Sequence, residues 1–190
     1  MTMFGVVAGF SATEVAIVAA ARSAGHSGFS GIVLAVWSIG SLIGGLIYGA
    51  RRWPGSPAGR VVVLLGATAL LTGALTPVHQ LLVIGIVMVV SGVNCAPALS
   101  GIYHSAQAIA LPGVVTESYA WISVGTLAGS TVGTSAAGVL ITHNGAGAGF
   151  AFAAVAVAVS AIVMLAGRRT LGAAAHPIPA DYLQPTVPAS

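Results

Sequence analysis

Charged side chains are scarce in this sequence, and lysine is absent. Six arginines and three acidic residues are the only formally charged side chains among 190 residues, whereas a soluble globular domain has about one charged residue in four. This scarcity excludes the soluble globular class. The arginines give the chain a formal net charge of +3, but they form no basic stripe along the sequence. A nucleic-acid-binding surface is therefore excluded as well.

The sequence also has little cysteine and no clusters of metal-ligating residues. Its single cysteine, Cys95, lies inside a hydrophobic run, which excludes an internal disulfide and a Cys-x-x-Cys pair. The five histidines are scattered without the spacing of metal ligands, so no metal site is expected. The glycine run from Gly145 to Gly149 follows a predicted helix and not a strand, so it is interpreted as a turn. No Walker A motif is present, and no cofactor is expected.

Hydrophobic residues are abundant: they make up 57% of the sequence, and its mean hydropathy is +1.01. Six apolar segments are separated by breaks that contain glycine or proline, and a helix needs about 20 such residues to cross a bilayer. We therefore predict an all-α, polytopic membrane protein with six transmembrane helices, of which the third is short. The predicted segments are Met3 to Ala21, Gly31 to Ala50, Arg60 to Leu75, Leu81 to Tyr103, Thr116 to Ile141 and Gly149 to Ala166.

The positions of the arginines predict how the chain crosses the membrane. If the loop after the second segment is cytoplasmic, Arg22 lies outside and the other five arginines lie inside, as the positive-inside rule requires. Both termini of the chain then face the cytoplasm, and the protein is a multi-pass protein of the cell membrane. Residues 1–169 form the transmembrane domain in this prediction. Residues 170–190, rich in alanine and proline, form a disordered cytoplasmic tail.

Small residues recur at helical spacing in the second and fifth segments. Each segment has an aromatic residue followed by glycines: Trp37, Gly40 and Gly44 in the second, and Trp121, Gly125, Gly129 and Gly133 in the fifth. The two segments cross the membrane in opposite directions, as the corresponding parts of a three-plus-three inverted repeat do. Glycines at this spacing also allow close packing in any helical membrane bundle. Both interpretations stay open at the level of sequence.

Three stretches of the chain resemble sequences of the major facilitator superfamily of transporters. They are Gly9 to Val15 in the first segment, Trp37 to Arg52 in the second and Glu117 to Trp121 at the start of the fifth. The order of parts resembles the C-terminal six-helix half of an efflux-type member. This resemblance implies a secondary, proton-coupled carrier that moves a small amphipathic or drug-like compound. It also implies a second six-helix half as partner, and the position of Met1 beside the first apolar segment favours a truncated transporter.

The end of the second segment resembles the second copy of that family's gating loop. The matching residues are Gly45, Gly49, Arg51, Arg52 and Arg60. Ala50 stands where the family pattern has an aspartate. Apart from gating, the paired arginines can serve as a topology signal or contact anionic lipids. Glu117, which opens the fifth segment, is predicted either to cap that helix or to act at the inner gate.

Glu14 is the most informative candidate for proton or substrate coupling. It lies midway along the first segment, where an ionisable group costs about 3 kcal/mol and must face protein or water. There it either exchanges a proton or forms a hydrogen bond with a neighbouring helix. Asn94 lies near a proline at which a helix bends, and it either binds substrate or contacts a partner helix. Trp37 and Trp121 either line a site for apolar cargo or serve in packing and interfacial anchoring.

Two further classes of function compete with transport. A channel-like or structural helical bundle, for example a homodimer, would use the same glycines for packing. The stretch Gly28 to Gly31 matches the nucleophile motif of rhomboid-type intramembrane proteases, but no histidine lies inside a predicted segment to act as the base. We therefore predict a protein that is not an enzyme. Its expected partners are the lipid bilayer, a small solute, protons and a second six-helix half.

Overall fold

The chain folds as a bundle of α-helices. A computed structural model describes residues 1–51, 53, 57–107 and 115–174, and within these ranges it contains six helices and no strand. The predicted all-α class is confirmed, and each predicted apolar segment coincides with one helix. The helices are α1 (Thr2–Ser23), α2 (Phe29–Ala50), α3 (Pro57–Ala74), α4 (Leu81–Gln107), α5 (Val115–Asn144) and α6 (Ala146–Ala174). Residues 175–190 of the predicted tail lie outside the described residues.

Most of these helices have the length and composition of membrane spans. Among the described residues, five helices are long and apolar enough to cross a membrane, namely α1, α2, α4, α5 and α6. Helix α3 falls short, because its apolar part, Ala58–Ala74, rises only about 25 Å along the helix axis. The third of the six segments predicted from the sequence, Arg60 to Leu75, is likewise short for a membrane span. The helices are therefore compatible with a multi-pass membrane protein.

Two connections between helices depend on glycine. Gly25 and Gly145 have φ angles of 75° and 79°, in the left-handed region that residues with a Cβ atom rarely adopt. Gly145 supplies the turn predicted for the glycine run, because α6 already begins at the next residue. At the bend predicted in α4, the helix continues through Pro97 to Gln107.

Helix α1 is the most covered of the five long helices. It packs along α5 and α6, while α4 packs along α2 and α3, and α3 also packs along α6. In α1, 61% of the apolar window is buried, compared with 22% in α2 and 17% in α5. Helices α2 and α5 therefore lie at the edges of the bundle and present apolar side chains outward.

Buried apolar side chains fill the bundle in two main clusters. Each cluster joins residues of α1, α4 and α6, which ties the bundle together along its length. The first cluster, which also contains α3, includes Val6, Val61, Leu65, Ile102 and Val157. The second, which also contains α2, includes Ile17, Trp37, Ile84, Met88 and Phe150.

The glycines of α2 bring that helix into backbone contact with α4. A Cβ atom added to Gly40 would lie 2.5 Å from the carbonyl oxygen of Val89, and one added to Gly44 would overlap the carbonyl of Val93. Lipid supplies no hydrophobic force between helices, so close backbone approach of this kind is what makes such pairs stable. The side chains opposite the glycines point away from the bundle.

Helix α5 contacts α1 in the same manner. A Cβ atom added to Gly129 would overlap the carbonyl of Phe4, and one added to Gly133 would overlap the carbonyl of Ala8. In both helix pairs, two glycines four residues apart lie against two carbonyl groups that are also four residues apart. The glycine stripes that the sequence showed are therefore contact surfaces between helices.

These contacts predict that alanine will destabilise the protein at the packed glycines alone. We expect Gly44→Ala and Gly133→Ala each to lower Tm in detergent by about 5 °C, since overpacking costs about 2 kcal/mol. Gly49→Ala and Gly138→Ala are matched controls, because a Cβ atom at either position meets nothing within 4 Å. Alanine there should leave Tm unchanged or raise it slightly. Equal effects in the two pairs of variants would contradict the proposed helix contacts.

Candidate functional site

Glu14 lies on an open face of α1. Its side chain is exposed, although its neighbours Thr13, Ala16 and Ile17 are buried. Phe10 lies one turn before Glu14 and is on the same side of the helix. The only ionisable side chain in the middle of this helix therefore faces away from the packed interior of the bundle.

An aromatic pair adjoins Glu14 and connects α1 to α2. The rings of Phe10 and Trp37 meet edge to face, with centroids 5.9 Å apart and an interplanar angle of 82°. Trp37 is only 8% exposed, and its buried Nε1 has no hydrogen-bond partner among the described residues. A buried donor left without an acceptor costs about 1–3 kcal/mol. A ligand that offered an acceptor to this N–H would recover part of that cost.

Cys95 of α4 lies in the same part of the bundle as Glu14 and Trp37. It is partly buried, its thiol interacts with the side chain of Ser41 in α2, and Glu14 is near enough to act on the thiol electrostatically. We call this region, formed by Phe10, Glu14, Trp37, Ser41 and Cys95, the Glu14 face. It combines one carboxyl group and small polar groups with aromatic walls, as small-molecule sites commonly do.

Ser11 lies three residues before Glu14 on α1 and contacts α5. Its side chain is 8% exposed, and its hydroxyl donates a hydrogen bond to the Ser130 hydroxyl of α5 at 3.0 Å. This bond crosses the same helix pair that the α5 glycines hold together. Ser11 therefore joins α1 to α5 through a hydrogen bond beside the Glu14 face.

Asn94 lines a separate cavity of about 510 Å³ that lies between α2, α3 and α4. Pro97 and Gly44 form part of the same wall, and Arg60 of α3 lies across from them. We call this space the arginine-side cavity. The structure thus brings Glu14 and Trp37 together but places Asn94 in a second site.

Arginine and aromatic side chains alternate at the mouth of this cavity. The guanidinium of Arg51 lies 5.4 Å from the centroid of the Trp53 ring, and that ring stacks on Tyr48 at 5.9 Å. Arg60 lies over the Tyr48 ring at 5.6 Å. We call these four residues the cation–aromatic ladder. Sequence reasoning gave no role to Trp53, although an aromatic residue between two arginines at a helix break was a usable signal.

The other predicted gating residues lie near the same end of the bundle. A Cβ atom at Gly45 would lie 3.2 Å from the Ala96 Cβ atom, while Gly49 has open space around it. Glu117 is exposed in the first turn of α5. Trp121 is 69% exposed on α5 and does not join Trp37 in one site. Arg52 lies outside the described residues.

The structure also describes the protease-like stretch and the side-chain types that can bind a metal ion. The Ser30 hydroxyl donates to the Ser27 carbonyl oxygen at 2.6 Å, and His26 Nδ1 lies 2.7 Å from the Ala24 carbonyl oxygen. Both side chains of this motif region therefore bond to nearby backbone in the structure. Among the residues that the structure describes, no group of three or more His, Cys, Asp or Glu side chains could hold a metal ion.

The exposure of Glu14 can be measured by cysteine labelling. In a Cys95→Ala background, we expect Glu14→Cys to react rapidly with a charged, membrane-impermeant methanethiosulfonate reagent, because the face is open and polar. Ala16→Cys is the matched control, since Ala16 is fully buried two residues away. Labelling of both positions at the same slow rate, read by mass spectrometry, would show that water does not reach the Glu14 face.

Comparison with known proteins gives no match: no family model, no curated protein and no solved structure is similar to this chain. The function is therefore inferred from the geometry of the described residues. Two features carry chemical information, namely the carboxyl group on the open face of α1 and the arginines around the arginine-side cavity.

Proposed function

We propose that the chain is one six-helix half of a secondary transporter of the major facilitator type, which exports a small amphipathic compound in exchange for protons. The exposure of Glu14 in the middle of an apolar helix carries this proposal. An ionisable group facing hydrocarbon costs about 3 kcal/mol on insertion scales. A second unit that encloses water over this face would remove that cost, and it would create the cavity that a carrier needs.

The bare surfaces of α2 and α5 support such a second unit. These two helices are the least buried of the five long ones, and both contact α1, which carries Glu14. Large apolar side chains project from them, including Leu42 and Leu46 on α2 and Trp121 and Leu127 on α5. A second six-helix unit that packed on both helices would cover the Glu14 face from two sides.

The pattern of helix contacts supports a three-plus-three inverted repeat. Exchanging α1 with α4, α2 with α5 and α3 with α6 converts the α1–α5 contact into the α4–α2 contact. The same exchange converts the α1–α6 contact into the α4–α3 contact, and all four are among the main contacts of the bundle. The paired glycines of α2 and α5 occupy equivalent places in this scheme. Inverted repeats of this kind are characteristic of secondary transporters.

Glu14 supplies the coupling in this mechanism. When ionised, its carboxylate attracts a cationic or hydrogen-bonding group of the substrate, while the rings of Phe10 and Trp37 contact the apolar part. A proton arriving from outside neutralises Glu14 and removes the attraction, so proton entry and substrate release are linked.

The inner gate and the membrane orientation of the proposed carrier are assigned from the end of the bundle that carries Arg51 and Arg60. Arg51, Arg52 and Glu117, with the backbone at Gly45 and Gly49, form the inner gate of the proposed carrier. The positive-inside rule places this end, and both chain termini, at the cytoplasmic side of the cell membrane.

Transport in proteoliposomes tests the proposal. Tagged full-length chain is purified from its native membranes in mild detergent, so that any second unit is retained, and is reconstituted with ethidium, a lipophilic cation, as the probe. We expect saturable ethidium movement driven by a proton gradient. Glu14→Gln should reduce this movement to the level of protein-free liposomes while membrane insertion and Tm stay normal.

Asp181→Asn is the control, because it removes an acid from the segment that the sequence predicts to lie outside the transmembrane domain, and it should preserve proton dependence. Unchanged coupling in Glu14→Gln would exclude the proposed role of Glu14. Conductance that does not saturate would indicate a channel instead of a carrier.

A further inference from the structure

The arginine-side cavity has an amphipathic lining that the transport mechanism does not use. Its volume of about 510 Å³ lies within the range of ligand sites, which is about 300–1,000 Å³. Gly44, Val93 and Pro97 form its inner wall, and Val63 and Ile47 line it as well. Val63 is 70% exposed and Ile47 is 54% exposed. Side chains this exposed on apolar helices face lipid, so the cavity opens sideways into the bilayer.

Apolar and charged groups occupy different levels of this cavity. Gly44 lies about two helical turns before the end of α2, which ends at Ala50. Tyr48, Trp53 and Arg60 lie where α2 ends and α3 begins, which the predicted topology puts at the membrane surface. The cavity is therefore apolar at the depth of acyl chains and cationic at the depth of lipid headgroups.

Arg60 is held in place at the mouth, and no acid among the described residues pairs with it there. Its Nη1 donates to the Trp53 carbonyl oxygen at 3.3 Å, and its guanidinium lies over the Tyr48 ring. Its Nε is buried and has no hydrogen-bond partner among the described residues. The two described acids, Glu14 and Glu117, do not line the cavity. A guanidinium with a buried free N–H is best satisfied by a phosphate or carboxylate oxygen.

The proposed inverted repeat gives a second indication that something fills this space. In the equivalent position of the other half, α5 packs directly against α6. Between α2 and α3 the structure instead has the arginine-side cavity. An occupant lying between α2 and α3 would supply the packing that α5 and α6 provide for each other.

We propose that the arginine-side cavity binds one phospholipid with an anionic headgroup. An acyl chain lies along the wall formed by α2, α3 and α4, and the phosphate accepts hydrogen bonds from Arg60. Arg51 lies over the Trp53 ring and does not line the cavity, so Arg60 is the arginine among the described lining residues that reaches the headgroup. A water-soluble phosphate would use only the mouth and leave the apolar wall uncovered, so a lipid is the better fit to the whole cavity. The proposal does not depend on transport.

Quenching of Trp53 fluorescence by brominated lipids tests this site. Trp37→Phe and Trp121→Phe together leave Trp53 as the only tryptophan, because the chain has three. The full-length protein is placed in phosphatidylcholine vesicles with increasing fractions of dibrominated phosphatidylglycerol or dibrominated phosphatidylcholine. We expect half-maximal quenching at an about fivefold lower mole fraction of the anionic lipid, the preference given by one arginine near a membrane surface.

Arg60→Gln should make the two quenching curves coincide. Arg22→Gln is the matched control, since it removes an arginine at the opposite end of the bundle and should leave the preference intact. Val63→Phe narrows the cavity at an exposed position while keeping every arginine, and it should weaken quenching by the anionic lipid. If Arg60→Gln fails to elute as a single folded species, Val63→Phe decides the question.

Three outcomes would overturn the proposal. Equal quenching by both lipids in the parent protein would show that the cavity does not select anionic lipid. A preference that survives Arg60→Gln would come from general surface charge. Displacement of the brominated lipid by soluble glycerol phosphate would show that the mouth takes a free phosphate compound.

Discussion

Contact between helix backbones at paired glycines is the constraint on which the rest of this bundle depends. In a bilayer, apolar side chains gain little by leaving lipid for protein, so helices associate where their backbones can come close. Gly40 and Gly44 provide this contact between α2 and α4, and Gly129 and Gly133 provide it between α5 and α1. These two contacts fix α1 and α4 inside the bundle and leave α2 and α5 at its edges.

The exposed carboxyl of Glu14 follows from that arrangement. The α5 glycines and the Ser11–Ser130 hydrogen bond hold one side of α1 against α5, and α6 covers another side. The side that remains open carries Phe10 and Glu14. An ionisable group on an open face of an otherwise apolar helix is costly in lipid. In a water-filled cavity shared with a second unit the same carboxyl would bear no such cost, and this is why we propose it for proton coupling.

The arginines at the end of α2 show how one structural feature can serve two purposes. Positive charge at this end favours one orientation in the membrane, and the aromatic rings of Tyr48 and Trp53 hold the guanidinium groups in place. Because this cation–aromatic ladder stands at the mouth of an apolar cavity, it can also select the lipid beside it. A bound lipid between α2 and α3 would stabilise α3, the one described helix that is too short to count as a candidate membrane span.

The sequence alone determined the number, order and approximate limits of the helices, because long apolar segments in a chain with few charges have no other stable form in a membrane. It also showed the glycines of α2 and α5 at helical spacing, and four of them, Gly40, Gly44, Gly129 and Gly133, lie in the helix contacts. It could not decide which side chains meet, because that depends on how each helix is rotated against its neighbours. Only the tertiary structure separated Asn94 from Glu14, turned Trp121 outward and brought Trp53 between Arg51 and Tyr48. Asn94 and Arg60, which are distant in sequence, line one cavity because α3 packs along α4.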